Sequence, residues 1–172
     1  DLADPVQSAI NTLKEENSSG FSNFQATLAK RQVDFIRGAE VGNATVEGII
    51  DMARSRVLGG TSWRLGDIVF SSPTAVGKPA ENYHLIYNDT TYEAFLKKYM
   101  DRRQVVYAGA NDGMLHAFNG GFWNRQTRTF DVTQGTLTQF PLGMELWAFV
   151  PYNLLPHLKW LMHPDYGEKL HV

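Results

Sequence analysis

The sequence contains no cysteine. That excludes disulfides, thiolate zinc sites, iron–sulfur clusters and cysteine nucleophiles. It leaves the compartment open, because a sizeable secreted domain can do without disulfides. No run of about 18 apolar residues occurs, so no segment reads as a membrane-spanning helix. Net charge is also small: 16 Lys and Arg against 18 Asp and Glu leave −2. Such a balance provides no broad field for nucleic acid or an anionic membrane. Walker phosphate loops, Gly-x-Gly-x-x-Gly fingerprints and Gly-x-Ser-x-Gly elbows are missing too. The five histidines, His84, His116, His157, His163 and His171, form no His-Glu-x-x-His pair. The spacing of His157 and His163 does not put them on one helical face, which favours a polar helix edge over a metal site. Asn111-Asp112-Gly113 and Asn88-Asp89-Thr90 lack the spaced carboxylates of a calcium loop, so Asp112 reads as a turn residue. The expectation is no catalytic residue, no metal ligand and no cofactor in this chain.

What is present describes a globular chain. Of 172 residues, 43% are hydrophobic and 12% aromatic, and a domain of this size buries about two-thirds of the surface its unfolded chain exposes. The sequence opens at Asp1 with neither an initiator Met nor a signal pattern, which predicts a processed product or an excerpt.

Residues 1–60 read as a helical segment. Asp4 can cap a helix with Pro5 at its first position and Val6, Ala9, Ile10 and Leu13 on one face. Asn17-Ser18-Ser19-Gly20 predicts a break. A second helix is expected from about Asn23 to Arg37, with Phe24, Leu28, Phe35 and Ile36 inward and Gly38 as its C-terminal cap. Val46, Ile49, Ile50 and Ala53 predict a third, short helix, weakened by Gly48. Gly59-Gly60 closes the region.

From Thr61 the texture turns to strands. Asp67-Ile68-Val69-Phe70 and Thr74-Ala75-Val76 are β-prone runs on either side of Pro73. Residues 78–103 form an excursion with a helix across Tyr92, Phe95, Leu96 and Tyr99. Its Lys97-Lys98 and Arg102-Arg103 cluster reads as a solvated face rather than a polyanion site. Asp112-Gly113 between two apolar runs marks a hairpin, and apolar residues on both faces of Val105–Ala108 predict a sheet covered on both sides. Gly120-Gly121 leads into surface loops and weak strands as far as Gln139. Met144–Val150 is a buried-strand candidate. After Pro151, Asn153 can cap a helix with Leu154, Leu155, Leu158, Leu161 and Met162 on one side. Lys169-Leu170-His171-Val172 looks like a further strand.

Among Trp63, Trp123, Trp147 and Trp160, Trp147 fits packing within its apolar strand. Trp123, in the polar stretch Gly121-Phe122-Trp123-Asn124, is the ring best suited to surface contact, either as part of a carbohydrate platform or simply as packing. Sequons at Asn17, Asn43 and Asn88 carry chemistry only in a glycosylating host.

Four ordered stretches carry a resemblance: Val33–Gly38, Arg64–Pro73, Val106–Phe118 with its Gly-Ala-Asn-Asp-Gly-Met-Leu-His-Ala-Phe run, and Glu145–Leu158 with Glu-Leu-Trp-Ala-Phe. Together they resemble the C-terminal propeller of the PilY-type type IV pilus biogenesis and tip-adhesin proteins, over roughly Val33 to Val172. The resemblance implies a bacterial cell-surface, periplasmic or extracellular protein that supports pilus assembly and retraction and, in some members, adhesion. Family members carry a propeller calcium loop of alternating acidic residues. It has no counterpart here, so calcium would bind elsewhere in the full propeller. Their adhesive N-terminal region has none either.

Propeller blades take about 40–50 residues and closed rings at least four blades, so residues 61–172 supply about two. The reading is α+β: a helical lead-in over 1–60, then the first blades of a quinoprotein-like β-propeller as an incomplete ring. Another polypeptide would carry the remaining blades, and pilus or filament proteins would be partners. The expected function is a structural or adhesive module of a type IV pilus or pilus-like filament, not an enzyme. The alternatives are a quinone-dependent dehydrogenase-like propeller, which would need a carboxylate base, calcium and an aromatic sandwich, and a glycan-binding module using Trp123.

Overall fold

The computed structural model describes residues 11, 15, 18–133 and 140–168. These fall into two compact units, one within residues 1–66 and 152–172, the other residues 67–151.

The first unit is built on α1 (Ser18–Ile36). Its C-terminus carries a full Schellman cap: Gly38 N donates to Phe35 O and Ala39 N to Asp34 O, both at 2.9 Å, with Gly38 at φ 100°. That left-handed position is where glycine costs least. The expected cap is therefore present, but the helix begins at Ser18, inside the expected break. The expected first helix lies almost wholly outside the described residues.

Val46–Ala53 is not a helix. β1 (Ala44–Val46) and β2 (Ile49–Asp51) pair antiparallel with Val46 opposite Ile49. The intervening Glu47 and Gly48 both have positive φ, 49° and 77°, which is the two-residue hairpin geometry matched to strand twist. β3 (Val57–Leu58) and β4 (Thr61–Ser62) repeat the device around Gly59 and Gly60, at φ 59° and 79°.

α1 packs against β1 and against an 11-residue 3₁₀-helix, Tyr152–Met162. An α-helix capped by Asn153 was expected there. Pro156 disfavours one, because it drives Leu155 away from α geometry. The three-residue repeat instead stacks Leu158 and Leu161, which are buried, as are Met162, Phe24, Phe35 and Ile49 of the same unit. Arg54 fastens this helix, its backbone N donating to Met162 O at 2.9 Å and its Nε to Leu161 O at 2.5 Å.

The second unit is one five-stranded antiparallel sheet. β5 (Thr74–Val76), β6 (Gln104–Gly109), β7 (Leu115–Asn124) and β8 (Thr129–Asp131) follow in order, and β9 (Glu145–Phe149) pairs with the first half of β7. Asp67–Phe70, expected as strand, is irregular. Its polar groups instead tie down the β6–β7 loop: Asp67 O accepts from Asn111 N at 3.0 Å and Asp67 Oδ2 from Asn111 Nδ2 at 2.7 Å.

The β6–β7 hairpin turns over Ala110–Met114, with Gly113 at φ 81° as the Asp-Gly signal requires. β7 does not stop at Gly120-Gly121. Gln104 faces Gly121 and Val105 faces Asn119, so Gly120 is the extra residue of a bulge. A side chain on Gly120 would meet Gln104 O at 3.0 Å. The excursion carries α2 (Tyr83–Ile86) and the expected helix, α3 (Thr90–Tyr99). Asp89 caps α3 by accepting from Thr91 N and Tyr92 N. Tyr83, Tyr92, Phe95 and Tyr99 form a ladder with successive centroid separations of 5.2, 5.8 and 4.9 Å.

Candidate functional site

Trp123 sits in β7, not in a loop as its polar neighbours suggested. It lies opposite Phe130 of β8, with the rings edge to face at 5.1 Å. The β7–β8 turn is held by Asn124, whose Oδ1 accepts from Gln126 N at 2.9 Å and whose Nδ2 donates to Asp131 Oδ2 at 2.7 Å. The indole is 45% exposed and lines a hollow of about 310 Å³. Gly77 and Lys78 after β5, Met100, Asp101 and Arg102 after α3, Gln104 of β6, and Arg125 and Phe130 complete the wall. Arg102 Nε donates to Gly77 O, which fixes one guanidinium in the rim. Arg125 stands 3.8 Å from Asp101 across the mouth, both largely exposed. Two further hollows of about 300 Å³ adjoin it, one sharing Lys78, Met100 and Arg125, the other Asp101, Trp123 and Arg125. Arg125 therefore lines all three.

Trp123 and Arg102 were both singled out in the sequence, whereas Lys78 and Arg125 come from separate segments with no local motif. The Lys97-Lys98 and Arg102-Arg103 cluster divides. Lys97 and Lys98 are exposed, with Lys97 Nζ 2.5 Å from Glu93 Oε1. Arg103 instead points inward, between Phe122 at 4.7 Å and Phe140 at 5.3 Å, and donates to Asn119 Oδ1 at 2.9 Å. Trp63 is more exposed than Trp123, at 65%.

A second polar cluster lies in the sheet. His116 is buried, with Nδ1 2.6 Å from Glu145 Oε1 and Nε2 3.0 Å from Asp112 Oδ2. Burial alone would lower its pKa. The hydrogen bonds to Glu145 and Asp112, and then their charges, outweigh burial and raise it above its ordinary 6.5. Asp112 is a turn residue as expected, accepting from Met114 N at 3.1 Å, and it also grips His116. Among the described residues no group of three or more His, Asp or Glu side chains is arranged to hold a metal ion.

The sheet's outer strands are open. Among the described residues β5 pairs only with β6, and β9 only with β7. β9 was expected to be buried. Its Trp147 and Phe149 are instead 45% and 56% exposed, and Trp147 leans on Tyr107 at 5.6 Å. An edge strand has a neighbour on one side only, so apolar composition does not bury it.

The sequence model of the family described as PilY1 beta-propeller domain matches residues 65–144. The chain is similar to a Type IV pilus biogenesis factor PilY1 homolog of Xylella fastidiosa, 31% identical over 150 residues, 86% of this chain and 10% of that protein. It is also similar to Type IV pilus biogenesis factor PilY1 of Pseudomonas aeruginosa strain UCBPP-PA14, 38% identical over 149 residues, 84% of this chain and 10% of that protein. The strain PAO1 protein of the same name matches at 45% identity over 58 residues, 32% of this chain and 5% of that protein. The chain thus spans about a tenth of the length of the first two relatives. No solved structure matches it significantly. Through residues 65–144 the chain belongs to the family of PilY1 β-propeller domains.

Proposed function

We propose that this chain is a non-catalytic structural or adhesive module of type IV pilus biogenesis, working by its surfaces at the bacterial envelope or outside the cell. Membership of the PilY1 β-propeller family supports the pilus association. The propeller is of the quinoprotein-like kind, with α1 part of a lead-in to its first blades, and calcium, where the full ring uses it, binds elsewhere in that ring.

The observation that carries the mechanism is the open sheet. β5 and β9 each have one paired side among the described residues, and Trp147 and Phe149 stand exposed along β9. Unpaired strand edges with apolar rings are templates for further strands. In the proposal, another polypeptide carrying the remaining blades docks along these edges and closes the ring, and the assembled propeller meets pilus or filament proteins.

Size exclusion with intact mass measurement, on material purified from the native source, tests this. Co-elution with a chain bearing further blades, with amides of β9 slow to exchange in the complex, is the expected result. A well-behaved lone monomer of 19.4 kDa would retire the completed-ring reading while leaving the family membership intact.

A further inference from the structure

We propose that the hollow beside Trp123 is a binding site for an acidic oligosaccharide, with a carboxylate-bearing sugar ring seated at its centre. This goes beyond the filament role and stands or falls separately from it. The central hollow, of about 310 Å³, lies within the size range of small-ligand sites. Its wall combines a half-exposed indole, braced edge to face by Phe130, with Lys78, Arg102 and Arg125 against one carboxylate, Asp101. An indole offers a flat apolar face with a polar edge, which suits the apolar face and hydroxyl rim of a pyranose. Guanidinium forks match a carboxylate's two oxygens. Asp101 and Gln104 add groups that sugar hydroxyls can bridge.

The flanking hollows favour a chain over a lone sugar. They continue from the centre through Arg125, and they bring Glu81 on one side and Asp131 on the other. Positive charge is thus densest in the middle, where Lys78, Arg102 and Arg125 meet one carboxylate, while Glu81 and Asp131 add acidic groups at the two ends. That pattern fits an acidic ring between neutral neighbours better than a uniformly charged polymer. The hairpin that carries Trp123, Arg125 and Phe130 is held by Asn124, so the site is positioned before ligand arrives.

Isothermal titration of the chain with a hyaluronan tetrasaccharide, a hyaluronan hexasaccharide and sialyllactose tests the proposal, with their methyl esters and triglutamate as controls. At least one carboxylated sugar should bind. Its affinity should fall about tenfold or more on methyl esterification and on Arg125→Gln, an exposed substitution, as expected for loss of a charge-assisted pair. Trp123→Phe should weaken the acid and ester forms alike, with the unfolding midpoint checked in parallel. Binding of none of the three sugars at millimolar concentration, equal binding of acid and ester, indifference to Arg125→Gln, or triglutamate binding as tightly as the sugar would each overturn it.

Discussion

His116 on β7 and Glu145 on β9 face one another at 2.6 Å, Nδ1 to Oε1, across strands joined by a long connection. Because Nε2 meets Asp112 at 3.0 Å, both ring nitrogens address carboxylates. A neutral imidazole has only one N–H, so only the imidazolium satisfies both contacts. The pair thus welds the edge strand to the hairpin turn.

A pH dependence follows. His116 has its pKa raised on folding, so its stabilisation is fully present below about 6.5, the unfolded value. It is lost as pH rises from there through the raised folded value. Urea midpoints measured from pH 6 to pH 9 should decline in the wild type. His116→Gln should lower stability by roughly 1–3 kcal/mol at pH 6 and flatten the profile. A midpoint that rises with pH across this range in the wild type would contradict the assignment.

Asn119 is buried, at 2% exposure, and serves four neighbours at once. Its Oδ1 accepts from Arg103 and, at 3.0 Å, from Gly121 N; its Nδ2 donates to Phe140 O and Pro141 O at 2.6 and 3.2 Å. Asn119→Ala takes one acceptor from the Arg103 guanidinium and the Gly121 amide, and the shared donor from the Phe140 and Pro141 carbonyls. It should cost about 2–4 kcal/mol, shifted up from the roughly 1–3 kcal/mol of a single unsatisfied group. Asn119→Asp keeps the acceptor but loses the donor, so it should fall between wild type and Ala in chemical denaturation.

How much of this was legible depended on whether the signal was local. Gly38, Gly59-Gly60 and Asp112-Gly113 announce their turns because glycine alone enters left-handed geometry freely. Glu47-Gly48 hides the same turn. Glu47 holds φ 49° without being glycine, and Val46, Ile49, Ile50 and Ala53 fit a helical period equally well. Pro156 would sit in the first turn of the expected helix, where proline is tolerated, so its effect on Leu155 and on the helix type was not legible. The exposure of β9 depends on which strands neighbour it, a property of the assembled sheet that composition does not carry. The hollow beside Trp123 draws on segments after β5, after α3 and around the β7–β8 turn, so only the indole and Arg102 stood out.

Gly121 has φ 79°, and a side chain there would place Cβ 2.7 Å from both Asp131 O and Leu142 Cδ2. Leu142 can rotate away; a backbone carbonyl in a paired strand cannot. Gly121→Ala should therefore cost roughly 1–3 kcal/mol for the backbone conformation alone, with more from displacing β8. The displacement should be visible as faster amide exchange at Thr129–Asp131. Unchanged exchange there, with unchanged stability, would mean that β7 and β8 separate freely.

In the first unit the decisive stacking is on Phe35, which is 1% exposed. Arg56 lies over its ring at 3.7 Å and Arg54 at 5.6 Å. Burial pushes the pKa of both guanidinium groups down, and Glu40 opposes this for Arg56 by its charge and by a 3.2 Å hydrogen bond to Nε. Arg56 Nη2 also donates to Ala39 O at 2.7 Å, beside the helix cap. A lysine keeps the charge but offers neither the planar face for Phe35 nor donors in two directions. Arg56→Lys should destabilise by about 1–3 kcal/mol, and Arg56→Met, which keeps bulk but drops the charge, should leave Glu40 and Ala39 O without this partner and lose at least as much. If lysine were as stable as arginine in thermal unfolding, the cap and the ring would owe nothing to guanidinium geometry, and charge alone would account for Arg56.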